Sequence, residues 1–223
     1  MTTIMRKHFK KLLYLAVVVG FSVAQAGSYE DYFVAIKQDN PKAITELLQR
    51  GFDPNTRDPK GFHGLYLALR EPSLKAAEAI LASPKVDVEA RTKEDESPLM
   101  LAALKGQREI AEKLVAKGAD VNKTGWAPLH YAATHGHIEI IRLLLEHHAY
   151  IDAESPNGST PLMMAAGYGT ASAVKLLLEE GADPLIANKQ GLTAITFAQR
   201  ANRTESAEII AAFVRGRAPK GKW

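Results

Sequence analysis

The chain is 223 residues long, enough for one or two domains, and its 46% hydrophobic and 24% charged residues belong to a folding globular chain rather than a disordered one. It has no cysteine, which removes thiol nucleophiles, CxxC redox centres and Cys-ligated zinc, and which suits an oxidising compartment entered without disulfides. The net charge of +3 does not mark a nucleic-acid surface: of 28 cations, Arg6, Lys7, Lys10 and Lys11 precede residue 27 and Arg215, Arg217, Lys220 and Lys222 follow residue 214, leaving 20 between them against all 25 acids.

Residues 1–26 open with MTTIMRKHFKK, basic and without an acid, and continue with the apolar LLYLAVVVGFSVAQA, which ends on small residues at Ala24 and Ala26. A basic start, a short apolar run and an A-x-A end predict a secretory signal peptide cleaved after Ala26. The run is shorter than the roughly 20 residues a membrane span needs, so no stable membrane insertion is expected once it is removed. Export to the periplasm follows, with secretion beyond the cell as the other outcome.

Residues 29–61 hold two apolar helical stretches, EDYFVAIK and PKAITELLQR, followed by GFDPN from Gly51. Residues 62–96 hold Leu65-Tyr66-Leu67-Ala68 and VDVEA from Val86. Residues 97–126 begin with Ser97-Pro98-Leu99-Met100-Leu101-Ala102-Ala103 and close with GADVN from Gly118. Residues 127–159 begin with Ala127-Pro128-Leu129-His130-Tyr131-Ala132-Ala133 and close with HAYID from His148. Residues 160–192 begin with Thr160-Pro161-Leu162-Met163-Met164-Ala165-Ala166 and close with GADPL from Gly181; residues 193–214 begin with the weaker Thr193-Ala194-Ile195-Thr196-Phe197-Ala198. The steps from Pro98 to Pro128, Pro161 and Ala194 are 30, 33 and 33 residues. Two independent landmarks sharing one period define an internal repeat.

Between the landmarks the apolar residues recur at helical spacing. Ile110, Leu114 and Val115 form one stripe; Ile138, Ile141, Leu144 and Leu145 a second; Val174, Leu177 and Leu178 a third. A Ser or Thr is placed to cap the first helix, as at Ser97 and Thr160, with Pro in its first turn where no N–H is needed. Gly106, Gly136 and Gly169 are expected to end those helices in the left-handed conformation, and Gly118 and Gly181 to end the second helices. Paired alanines let the two helices approach closely.

The run T-P-L-H-x-A-A, then G-H, then L-L-L, then G-A-D-V-N resembles the ankyrin repeat, most closely at 97–126, 127–159 and 160–192. The resemblance covers residues 29–214 and implies an all-α solenoid: an ankyrin-repeat stack of about six helix pairs, each preceded by a β-turn finger. The unit at 29–61 reads as an N-terminal cap, and that at 193–214 as a C-terminal cap, since a terminal repeat leaves one flank uncovered. His63-Gly64 stands where Thr-Pro is usual. Residues 215–223 form a basic tail.

Five of the seven histidines lie between His130 and His148. The resemblance gives His130 a hydrogen-bonding role between neighbouring repeats and puts His137 at the start of a second helix. His147 and His148 fall at a helix end, where such residues are favourable. Only His135 is at a position the family leaves free. A metal site is disfavoured: on one helix His135 and His137 would point about 200° apart, given 3.6 residues per turn. His137-Ile138-Glu139 has the H-x-E of zinc deaminases, which also need cysteine ligands. Gly167-Tyr168-Gly169 follows a helix and lacks a third glycine, so it is no dinucleotide fingerprint, and the adjacent acids Asp95/Glu96 and Glu179/Glu180 have no partner base. No metal, cofactor or catalytic residue is expected, and the chain reads as a non-enzyme.

In such a scaffold the period fixes the contacts between repeats and leaves a few surface positions free in each. The resemblance places these on a concave face of finger tips and first helices. The residues expected to bind another protein are Phe62, Arg70, Lys93, Lys105, Trp126, His135, Tyr168 and Lys189, because aromatic and Arg side chains carry most interface energy. Phe62 and Trp126 have a second role open to them, packing along the neighbouring finger. The finger before Pro128 is short: Asp120 to Pro128 spans eight residues where Tyr150 to Pro161 spans eleven, which predicts a notch beside Trp126. The expected function is a monomeric, non-catalytic adaptor of the periplasm binding a protein, not nucleic acid. A secreted effector or immunity-type inhibitor, and an enzyme or metal-binding protein on the same scaffold, are the alternatives.

Overall fold

The computed structural model describes residues 27–217. The predicted signal peptide and residues 218–223 of the predicted tail lie outside the described residues. The chain divides into two compact units at Asp87 and Val88.

The first unit holds α1 (27–37), α2 (Pro41–Gln49), α3 (Gly64–Arg70) and α4 (Leu74–Leu81). Its core includes Tyr32, Ile36, Ile44, Leu65, Leu69 and Ile80. The Thr-Pro start is absent here for a steric reason: a Cβ at Gly64 would lie 2.5 Å from the Tyr32 hydroxyl. That hydroxyl donates to Pro54 O at 3.0 Å, and burial, then the Asp53 charge, pushes its pKa well up. His63 supplies the missing cap itself, its Nδ1 accepting from Leu65 N at 3.2 Å.

The second unit holds four helix pairs: α5 (Pro98–Lys105) and α6 (Arg108–Ala116), α7 (Pro128–His135) and α8 (Ile138–Glu146), α9 (Pro161–Gly167) and α10 (Ala171–Glu179), α11 (Ala194–Arg200) and α12 (Thr204–Arg217). First helices pack side by side in the order α5, α7, α9, α11, and second helices in the order α6, α8, α10, α12. The layers meet through the alanine pairs, all fully buried at Ala102-Ala103, Ala132-Ala133 and Ala165-Ala166. Small side chains there bring backbones close, and the second helices add Ile110, Leu114, Ile140, Ile141, Leu144, Val174 and Leu177. The stripe on α8 is rotated from expectation: Ile140 and Leu143 are buried, whereas Ile138 and Leu145 are half-buried.

Ser97 Oγ accepts from Met100 N at 3.2 Å and Thr160 Oγ1 from Met163 N at 3.4 Å, so the predicted caps form. Gly106 and Gly136 end α5 and α7 at φ 71° and 68°. Gly169 does not repeat them. The helix α9 ends at Tyr168 with φ −128°, and Gly169 is required by space, since a Cβ there would lie 2.3 Å from Ala133 O. The open carbonyls of α9 are closed by Arg203, which donates to the oxygens of Gly167, Tyr168 and Gly169 at 3.0, 3.0 and 2.7 Å. The last helix runs on to Arg217, past the predicted start of the tail, with the Arg217 guanidinium 4.3 Å from the Phe213 ring centre.

Within each unit, loops after the second helices are tied by side chains to the following loop. Asn55 is bidentate, donating to Lys85 O and accepting from Asp87 N. Asn122 does the same with His148 O and Tyr150 N. Glu89 and Asp152, lacking a donor, only accept, from Asp120 N and Asp183 N. At the next position of this series stands Leu185, 67% exposed.

Candidate functional site

The fingers are five-residue turns closed by their first residue. Asp58 N–H donates to Phe62 O, Thr92 to Glu96 O, Ser155 to Ser159 O and Asn188 to Leu192 O, all at 2.9 to 3.0 Å. In each, the first side chain also accepts from backbone N–H groups across the turn: Asp58 Oδ1 from Phe62 N, Thr92 Oγ1 from Glu96 N, Ser155 Oγ from Ser159 N, Asn188 Oδ1 from Leu192 N. The 155–159 and 188–192 fingers are joined by backbone, Lys189 N to Asn157 O at 3.0 Å.

The shortened segment 121–127 cannot complete this turn and is joined to its predecessor by a side chain instead. Lys123, 10% exposed, pairs with the Asp95 carboxylate and donates to Thr124 O at 3.0 Å. The hydrogen bond from Lys123 holds the Asp95 carboxyl below its usual range. Trp126 lies beside this segment, half-buried, edge-on to His130 at 5.3 Å and to Tyr131 at 6.4 Å.

His130 and His137 are fixed by backbone. His130 Nδ1 accepts from Ala127 N at 3.1 Å, so Nε2 carries the proton and donates to Ser159 O of the next finger at 3.0 Å. Burial lowers its pKa against the pull of those hydrogen bonds, and the ring is neutral. His137 Nε2 lies 3.1 Å from Leu104 O of the preceding repeat. His148 takes φ 63°, the helix-ending conformation that Gly118 and Gly181 supply elsewhere. His135 and His137 do not diverge as expected. Gly136 ends α7 between them, so they do not share a helix, and their rings stack at 5.8 Å and 10°. Among the described residues no three His, Asp or Glu side chains come together in an arrangement able to hold a metal.

The predicted binding residues separate into groups. In the first unit Phe62 stacks on Tyr66 at 5.5 Å, and the Arg70 guanidinium sits 4.9 Å from the Phe62 ring centre, itself paired with Glu71 at 3.1 Å. In the second unit Lys105, His135 and Tyr168 occupy the same position in successive repeats, at the C-terminal ends of the adjacent helices α5, α7 and α9, and all three are exposed. Lys93 is exposed in its finger. Lys189 is exposed, but its ammonium is spent on Pro156 O at 2.8 Å, so it joins fingers.

Residues the sequence did not single out complete the face. Tyr131, Met164 and Phe197 share one helical position on α7, α9 and α11 and are half-buried, so an apolar row runs beside the Lys105–His135–Tyr168 row. Their common signal was the 33-residue step, which placed Phe197 under Met164 although the flanking Thr193-Ala194 departs from Thr-Pro. Burial and the charges of Glu96 and Asp95 push the Tyr131 hydroxyl up, which places acid at that end of the row. At the other end a cleft of about 420 Å³ opens between Tyr168, just past α9, and Phe197 and Arg200 of α11.

A stack of helix pairs joined by closed finger turns, with apolar and cationic side chains along the first helices, is the architecture of a repeat scaffold that binds other proteins. Models of ankyrin repeats match in three copies, at residues 32–124, 65–155 and 148–216, and the chain belongs to the ankyrin-repeat family. It is similar to the crystal structure of an ankyrin repeat domain from Acinetobacter baumannii AYE, at TM-score 0.72 and 27% identity over 82% of this chain and 97% of that one. It is similar also to the crystal structure of an ankyrin repeat protein at TM-score 0.73 and 30% identity, over 81% and 96% of the two chains. Among curated proteins it is 32% identical over 132 residues to a putative palmitoyltransferase of Danio rerio, covering 56% of this chain and 20% of that protein. The chain spans less than a third of the length of the curated relatives it matches. Among the described residues no helix is long and apolar enough to cross a membrane.

Proposed function

We propose that this protein is a non-catalytic adaptor, exported by a cleaved signal peptide to the periplasm or beyond the cell, and that it works as a monomer that holds another protein. The first-helix and finger face of the second unit makes the contact. The observation that carries this reading is the paired rows on that face: Tyr131, Met164 and Phe197, half-buried, beside the exposed Lys105, His135 and Tyr168. An apolar centre with a polar border is the composition of an interface core and rim. The perturbed histidines support a structural role, since His63 and His130 are both spent on fixing loops.

Chemical cross-linking in periplasmic extract, followed by affinity measurement with the purified partner, tests this. Trp126→Ala and Tyr168→Ala should each weaken binding by at least about thirtyfold, the threshold for interface anchors; unchanged affinity in both would refute the face. Sequencing the exported protein from its N-terminus should begin at Gly27, and light scattering should give one chain per particle.

A further inference from the structure

We propose that the cleft between the last two repeats is the specificity pocket of this face, and that it receives an acidic peptide segment carrying one large apolar side chain. This deepens the proposed protein-binding function and rests on it.

The cleft exists because of one glycine. Gly167 occupies the first-helix position held by Leu104 and Thr134 in the two preceding repeats. A Cβ at Gly167 would stand 3.1 Å from Phe197 Cδ1, so the glycine lets the Phe197 ring lie against α9 and leaves open space above it. Phe197 and Leu192, both half-buried, give an apolar surface, and Tyr168, 58% exposed, stands over the opening. The wall is held firmly: Arg203 fixes the carbonyls on both sides of Tyr168, and Asn188 closes the finger that carries Gln190 and Leu192. A contact site whose backbone is tied in advance loses less entropy on binding.

The polar groups around that surface ask for an anion. Arg200 is the one charged residue among the described residues lining the cleft. The side chains of Tyr168, Gln190 and Arg200 make no hydrogen bond or ion pair among the described residues, so a hydroxyl, an amide and a guanidinium converge on the cleft unspent. A guanidinium matches a carboxylate in two parallel hydrogen bonds, which a lysine cannot. The excess of acid over residues 27–214 opposes an acidic partner at long range. That repulsion is screened beyond about 8–10 Å at ordinary salt, so the local cation decides where such a segment docks.

The probes are fluorescein-labelled short synthetic peptides with a Phe or Leu centre flanked by glutamates, with Gln-flanked and Lys-flanked twins, read by anisotropy against the purified full-length protein. The glutamate peptide should bind about tenfold or more tighter than its Gln twin, and Arg200→Gln should erase that preference, since a hydrogen bond to a charged group is worth that much. Arg200→Lys should recover part of it. Arg200 is exposed and has no partner among the described residues, so the variant should keep its melting temperature; Gly167→Thr, which fills the cleft, should weaken all apolar-centred peptides. Equal binding of the twins, an unaffected Arg200→Gln variant, or no binding of any peptide overturns the inference. Should a cross-linked partner be lost with Trp126→Ala but held by Arg200→Gln, the pocket is wrong and the wider face stands. Loss in none of Trp126→Ala, Tyr168→Ala and Arg200→Gln refutes both.

Discussion

Two buried imidazoles start first helices in this chain, one in each unit, from different positions. His63, 2% exposed, is itself the residue before α3: Nδ1 accepts from Leu65 N and Nε2 lies 3.1 Å from Asn55 Oδ1. His130 sits inside α7 and reaches back to Ala127 N, then across to Ser159 O, 29 residues on. The first ring fastens its helix to its own loop. The second fastens one repeat to the next and also covers for Ala127, which lacks the hydroxyl that Ser97 and Thr160 use. Both need an unprotonated Nδ1, so both tie the fold to neutral pH while serving different joints.

The comparison is broken or sharpened by four measurements. Leu144→Ala sets the scale for packing between repeats in the second unit: Leu144 is fully buried, and the loss should be about 2–5 kcal/mol by denaturant melts. Acid should reach the first unit strongly. Burial, then the Arg57 charge, pushes His63 down to about 4 from an unfolded value near 6.5. The unfolded chain therefore binds the proton first, and stability present above pH 6.5 is lost as pH falls toward 4, by about 3 kcal/mol. Melts from pH 7 to 4.5 should show this slope, reduced in His63→Asn; an equal slope in that variant would remove His63 as its source. His130, also lowered, adds to the slope in the second unit.

His130→Ala should cost about 2–3 kcal/mol, because it leaves a buried carbonyl and a buried N–H without their partner. Smallest is Ala127→Ser, which restores a hydroxyl cap and should add about 0.5–1 kcal/mol. Combined with His130→Ala it should recover part of that loss and none of the link to Ser159. Full recovery would mean that the ring acts only as a cap.

The period, the caps at Ser97 and Thr160 and the left-handed Gly106 and Gly136 were legible because each is set by residues close in sequence or by a landmark recurring at a fixed step, while the role of His130 between repeats was implied by the family resemblance. What escaped depends on where a neighbour's side chain falls. Gly169 looked like another helix terminator, but the Ala133 carbonyl of the preceding repeat dictates it, and the capping passes to Arg203, 34 residues away. The 200° divergence expected of His135 and His137 holds only on one helix; Gly136 separates them, and nothing local in the sequence says that their rings then stack. Lys189 looked free by position and is held by Pro156 O. On the proposed binding face, Tyr168 was evident as an aromatic at a variable position. The cleft beside it was not, since it is made by an absent side chain at Gly167.

Leu185 also bears on how long such an array grows. Asn55, Glu89, Asn122 and Asp152 each offer an oxygen to the backbone of a following loop, while Leu185 offers a methyl group. Gene duplication or engineering that spliced a further module behind this point would leave that module's leading amide unanswered unless Leu185 changed with it. Swapping Leu185 for Asn or Asp would supply the missing oxygen for such a module.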